Sequence, residues 1–267
     1  MIDRPVVAIT FDFGNTLVPV DREGLRRVVD LTAAAMATHA DGITVEAFLD
    51  AWADERERQF REEIPRFREV DISERLVRVL ARLRGMAPPP PERPWDDEAA
   101  ARLSEPDEIQ FASDVYSRSF VASMPPPPAV EPLLARMAAR YRLGVLSNWP
   151  LGVTIDRYLE AAGWDRHLSA VVVSQREGVI KPHPGIFRVA EHALRIERSD
   201  RARILHVGDD WAADVVGAKQ AGWLAAYLTI RPEDSPLPAS VRDGSVEADL
   251  EVPSLEALER ALGAWDR

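Results

Sequence analysis

The sequence predicts an α/β fold, a doubly wound parallel sheet interrupted early by an all-helical insertion. Three observations predict it. Short apolar runs rich in Val, Ile and Leu stand at residues 6–11, 143–147, 170–173, 204–207 and 224–229, the composition of strands buried on both faces. From the second run onward, helical patterns separate them at 153–162, 184–194 and 211–221, the last closed by Gly222. Such alternation builds a parallel sheet covered on both sides. The first interval, by contrast, is about 130 residues, far beyond the dozen or so that one crossover needs.

That interval has its own helical periodicity. Leu25, Val28, Val29, Thr32 and Met36 share one face, Phe48, Trp52 and Phe60 a second, and Leu76, Val79, Leu80 and Leu83 a third. A further helix is expected over residues 107–122. The insertion therefore spans residues 20–123. Prolines at 88–91 break it internally, and those at 125–128 mark its exit.

Composition narrows the classes of function. A chain of 267 residues allows a core and a smaller domain. A net charge of −11 repels nucleic acid and anionic lipid, so neither is an expected partner. It also repels a phosphorylated substrate, so a phosphate site needs local cations or a metal. The absence of cysteine excludes disulfides, thiol catalysis and thiolate metal sites. The first apolar run is too short for a signal peptide, and no stretch approaches the roughly 20 apolar residues of a membrane span. A cytoplasmic protein, monomeric or homodimeric, is expected.

The chemistry gathers at the strand ends. Asp12 follows the first run, Ser147 and Asn148 end the second, Lys181 lies in the loop after the third, and Asp209, Asp210 and Asp214 follow the fourth. In open α/β sheets these carboxyl ends bind ligands. Asp12, in FDFGNTL, suits a nucleophile or a metal ligand, although it could also cap a helix. Gly14 gives a backbone able to bend under an oxyanion, Asn15 tolerates turn geometry, and Thr16 can begin a turn or helix. One of the aspartates of HVGDDWAAD could cap a helix beginning near Trp211, but a cap does not explain three. A hard divalent cation such as magnesium takes carboxylate oxygens. Lys181 offers an ammonium to a phosphate, and Ser147 and Asn148 offer donors.

Four runs, FDFGNTL, VLSNW, KPHPGIF and HVGDDWAADVVGAKQAGW, resemble the four ordered motifs of the haloacid dehalogenase superfamily. The resemblance covers residues 6–18 and about 125–262, including the tail ADLEVPSLEALERAL. It implies a Rossmann-like core of residues 1–19 and 124–267 with a helical C1 cap at 20–123. It also implies a magnesium-dependent phosphatase acting on a small phosphorylated metabolite through an aspartyl-phosphate on Asp12. By the same resemblance, Ser147 and Lys181 hold the phosphate. The carboxylates of Asp12 and Asp209 and the carbonyl of Gly14 hold Mg2+. Asp210 and Asp214 support them, Asp214 by orienting ligands or Lys181, and Gly14, Asn15, Asn148 and Trp149 contact substrate.

The pattern departs at Gly14, where phosphatases of this type carry the aspartate that acts as general acid. Losing such a group typically costs 10²–10⁴-fold, roughly. Asp21 or a cap side chain could substitute. Alternatively, the chain is a catalytically weak member that binds a phosphorylated ligand or partner. A metal-free 2-haloacid dehalogenase is disfavoured by Asp209 and Asp210, and a Schiff-base phosphonate hydrolase by a cap without lysine. In ERERQFREEIPRFRE the bland expectation is a solvated face; the sharper one has Arg61, Arg66 or Arg68 gripping an anion. Phe60, Phe67, Trp52 and Trp95 are candidates for the cap core, Trp149 for the site entrance, and His206 for a packed strand position.

Overall fold

The structure, a computed structural model, describes residues 6–87 and 97–265. Its centre is a six-stranded sheet in the order β3-β2-β1-β4-β5-β6, every pair parallel. The strands are β1 (Ala8–Phe11), β2 (Arg142–Ser147), β3 (Ala170–Val173), β4 (Ile204–Gly208), β5 (Leu224–Leu228) and β6 (Leu250–Val252). The first strand starts later than its apolar run because Val7 joins its neighbours only through single bonds, to the Arg203 carbonyl and from the Arg142 amide. The sixth strand is a correction to the five expected: three residues show too little alternation to be read as a strand.

Alternating residues face opposite sides. Ile9, Phe11, Leu143, Val145, Leu205 and Val207 join the larger apolar core, and Ala8, Leu146, Ile204 and Ala225 the smaller. Helices α6 (Val130–Ala138), α7 (Gly152–Ala162) and α11 (Leu255–Trp265) contribute to the first core. Helix α9 (Pro184–Ala193) and the segment 211–221 contribute to the second. That segment is no continuous α-helix. A π-helical turn, Trp211–Val216, runs into the short α10 (Gly217–Gln220), and Gly222 follows at φ 78°.

Between β1 and α6 the described residues are helical: α1 (Arg22–His39), α2 (Val45–Glu62), α3 (Ile72–Leu83), α4 (Asp97–Ala101) and α5 (Pro106–Ser123). Asp21, Thr44 and Asp71 cap the first three, each side chain accepting from a first-turn amide. Trp52 packs between Phe48 and Tyr116, as a core residue of this unit should. The proline run at 88–91 and Trp95 lie outside the described residues. Among the described residues no helix is long and apolar enough to cross a membrane.

Candidate active site

The sheet order puts β1 between β2 and β4, so the loops after these three strands meet on one rim. Asp12 leaves β1 with its amide bonded to the Val207 carbonyl at 2.8 Å. A tight turn follows, in which Asn15 adopts φ 57° and donates its amide to the Val18 carbonyl at 2.7 Å. Asparagine tolerates this left-handed conformation better than most residues. Gly14, expected to bend, has no positive φ. What it lacks room for is a side chain: a Cβ there would meet Leu237 Cδ1 at 2.5 Å and Trp149 Cζ3 at 3.2 Å.

Lys181 is the hub, and it is buried. Its Nζ donates to Asp214 Oδ1 at 2.6 Å, to the Leu146 carbonyl at 2.8 Å and to Asp12 Oδ1 at 2.9 Å. Burial disfavours its charge, but Asp12 and Asp214 outweigh that and raise its pKa, so it stays an ammonium. Asp214 is likewise buried, yet Lys181 and His206 hold its carboxyl well below the usual range. His206, which the sequence marks only as packed, takes part. Its Nε2 lies 3.0 Å from Asp214 Oδ1 and its Nδ1 2.8 Å from Thr10 Oγ1. Burial first, then Lys181, lowers its pKa. Held toward its neutral form, the ring orients Asp214, which in turn orients the lysine.

Asp12 is pushed up to about 6, by burial first and by Asp214, with Lys181 pulling the other way. Asp209 is pushed up to about 8 by burial, then by Asp12 and Asp214, with Arg231 and Asn15 offsetting in part. Ligand oxygens of Asp12, Asp209 and Asp214 all lie within 4.8 Å of one another. Asp210 stands apart: it caps the π turn through the Ala213 amide and accepts from the amide and hydroxyl of Ser240.

Several assignments change. Asn148 is held to the Lys181 backbone, donating to its carbonyl at 3.0 Å and accepting its amide at 2.7 Å, and so positions the lysine loop. Trp149 is buried edge-on to Phe13 and Phe120, not at an entrance. Asn15 spends its amide on Asp209 and Ser235 and accepts from the Val20 amide. Asp21 is committed to capping α1 through the Gly24 amide. Arg61 and Arg68 are exposed beside Glu62 and Glu63, and Arg66 is exposed. Ser147 Oγ is near enough to Asp12 to favour its charged form, but it is buried without a hydrogen-bond partner, and so is Thr16 Oγ1.

The rim also holds residues the sequence does not single out: Thr10, Arg231, Ser235, Leu237 and Ser240. Position offers one signal. Arg231 follows β5 at its carboxyl end, the same rim as the other site residues.

A carboxylate pair bridged by a buried lysine at the carboxyl rim of a parallel sheet is the equipment of an enzyme. The family model for haloacid dehalogenase-like hydrolases matches residues 6–222, and the chain belongs to that family of hydrolases. It is 35% identical over 121 residues to a bovine haloacid dehalogenase-like hydrolase domain-containing protein 3, covering 45% of each chain. It is 33% identical over 122 residues to a phosphoserine phosphatase of Thermus thermophilus, covering 45% of this chain and 47% of that one. The chain spans about half the length of the curated relatives it matches. In fold it is similar to a 2-haloacid dehalogenase of Pseudomonas syringae (TM-score 0.67, 21% identity, 97% and 99% of the chains covered). It is also similar to a HAD phosphatase of Thermococcus onnurineus (TM-score 0.59, 20% identity, 96% and 98% covered).

Proposed function

We propose that this hydrolase cleaves small phosphate monoesters with magnesium as cofactor, Asp12 taking the phosphoryl group. The observation that carries this reading is Lys181 held between Asp12 and Asp214, with Asp209 close enough to share a cation with Asp12. The donor set fits a hard divalent ion: all three side chains offer oxygen, and the hydrogen bonds of the β1 turn use the carbonyls of Phe13 and Val18, not that of Gly14. Asp12, Asp209 and the Gly14 carbonyl would hold magnesium, which when bound neutralises charge on the phosphoryl oxygens.

The residues supply the rest. Lys181 holds Asp12 Oδ1 and, with the unpartnered Ser147 hydroxyl, offers donors to phosphate oxygens. A carboxylate oxygen of Asp12 forms a bond to phosphorus while the bond to the ester oxygen breaks, and the leaving group departs with the electron pair. Water then cleaves the aspartyl-phosphate, restoring the carboxylate and releasing inorganic phosphate. With no acid at Gly14, leaving groups that are stable as anions are favoured. The helices between β1 and α6 serve as a cap that selects the substrate. The phosphoserine phosphatase among the relatives supports phosphoester chemistry, and Asp209 beside Asp12 supports a metal over a metal-free dehalogenase.

A second reading, a slow enzyme that mainly binds a phosphorylated ligand, is favoured by the filled space beside Gly14. One experiment separates the two: turnover of nitrophenyl phosphate and of a panel of phosphorylated metabolites with magnesium, for wild type and Asp12→Asn. The exchange is nearly isosteric, so the variant should fold and lose essentially all turnover. A folded variant with near-wild-type rate sinks the mechanism. Halide release from a 2-haloacid in excess chelator would replace it with dehalogenation.

A further inference from the structure

The loop between β5 and β6, residues 229–249, contains no helix or strand, yet it lies across the acidic rim. Arg231 Nη1 sits 3.2 Å from Asp209 Oδ2. Ser235 Oγ accepts from Asn15 Nδ2 at 3.0 Å, and the Ser240 amide and hydroxyl donate to Asp210 at 2.8 and 2.7 Å. Apolar packing of the loop comes from Leu237 on the larger core and Val246 and Ala248 on the smaller, whereas Ile230 and Val241 remain 62% and 87% exposed. The charges divide neatly. Lys181 serves Asp12 and Asp214, whereas the cation at Asp209 is Arg231.

Arg231 also holds the loop to itself, through the Leu237 carbonyl at 2.7 Å and the Pro238 carbonyl at 3.3 Å. It thereby ties Leu237, the residue filling the space beside Gly14, to the carboxylate of Asp209. A divalent cation on Asp209 would supply the charge that the guanidinium supplies now, and the two would repel within the width of one carboxylate.

We propose that Arg231 is a built-in counter-ion of the metal site, which a divalent cation displaces, so that metal loading releases the loop from the rim. This rests on the magnesium reading above. Its consequence is that loading the cation also withdraws Leu237 and opens room beside Asp12 for a leaving group.

The test uses the full chain without substrate. Mn2+ binding to wild type and Arg231→Gln is measured by titration calorimetry, and tryptic cleavage after Arg242, which lies in the loop, is followed by mass spectrometry. The variant should bind Mn2+ about tenfold more tightly, a like charge having been removed. In wild type, Mn2+ should speed cleavage after Arg242, a measurement that stands whether or not the variant folds. Unchanged or weaker affinity in a folded variant, or cleavage that Mn2+ slows or leaves alone, overturns the proposal while the magnesium reading stands. If neither protein binds Mn2+, the magnesium reading itself falls and the proposal with it.

Discussion

Gly208 has no side chain because Asp214 occupies the space one would need: a Cβ there would lie 2.0 Å from Asp214 Oδ2. That closeness lets Oδ2 accept the Asp210 amide at 2.9 Å while Oδ1 holds Lys181. The absence of a side chain at Gly208 thus helps position the lysine's partner. The neighbouring Asp209 gives a pH prediction. Its pKa rises from 3.8 unfolded to about 8 folded, burial being the first cause and Asp12 and Asp214 the next. Between those values the folded metal-free protein keeps a proton that the unfolded chain has released, so stability falls as pH rises and is lost through about pH 8; Arg231 becomes the counter-ion of a charged Asp209 as that proton leaves, whether to solvent or displaced by a cation. Asp12, raised to about 6, adds to the fall at lower pH, while His206, lowered from 6.5, opposes it below that value. Above 6.5 the contribution of His206 is gone, and Asp209 is separated from Glu69, whose carboxyl pKa is also raised by burial, by its own substitution. Denaturant melts of chelator-treated protein should show stability falling there by up to about 1.4 kcal/mol per pH unit, the limit for one proton. Asp209→Asn should abolish the slope, and a slope that persists in the variant assigns it elsewhere.

At the scale of elements, the turn after β1 and the loop after β5 together fill the place where an acid would stand. Replacing Gly14 by aspartate therefore meets no forbidden backbone, only Leu237 and Trp149. Leu237 presents the far end of a flexible side chain, so Gly14→Asp with Leu237→Ala is the variant that tests acid catalysis. It should raise turnover of alkyl phosphates more than that of nitrophenyl phosphate, within the roughly 10²–10⁴-fold worth of a general acid. Equal gains on both substrates would mean that room, not a proton, had been limiting. The two elements differ in how legible they are in the sequence. FDFGNTL announces itself because a carboxylate, a glycine and a turn asparagine follow an apolar run at fixed spacing. The strand ends alone put Asp12, Ser147, Lys181 and Asp209 on one rim. Arg231, Ser235 and Leu237 sit in an irregular stretch where no period marks which residue points inward. Their roles depend on where the loop lands, as does the π turn, which a helical pattern at 211–221 hides. Asn148 falls on the right rim by its place after β2, but its partner, the Lys181 backbone, is 33 residues away and carries no local signature.

Across the whole molecule, the helical segment meets the sheet unit at two attachments of different character. At one, α5 packs on α7: the Phe120 ring lies 5.1 Å from Trp149 and 6.0 Å from Tyr158 in a buried aromatic cluster, to which a Ser117–Thr154 hydrogen bond and an Arg157–Asp114 ion pair add. The other, around the loop after α2, is polar. Glu69 accepts from Ser174, Gln175 donates to Asp71 at 2.9 Å, the Ile72 amide to the Pro150 carbonyl at 2.9 Å, and the Ile180 amide to the Phe67 carbonyl at 3.0 Å. The last of these bonds adjoins Lys181, so this attachment closes the rim where substrate must enter. Apolar burial resists separation, whereas hydrogen bonds with a net worth of about 1 kcal/mol each open readily when water can replace them. The molecule should therefore open at the polar latch and turn about the aromatic contact. Native-state hydrogen exchange checks this. The amides of Ile72 and Ile180 should exchange faster than that of Asp12, which is bonded inside the sheet to Val207. Their rates should also depend only weakly on denaturant, because a local opening exposes little surface. Glu69→Ala with Gln175→Ala, which removes two of the latch bonds, should speed both latch amides by about tenfold or more. If these amides instead share the protection and denaturant dependence of the Asp12 amide, the helices and the sheet open only as one unit, and substrate must reach Asp12 by another route.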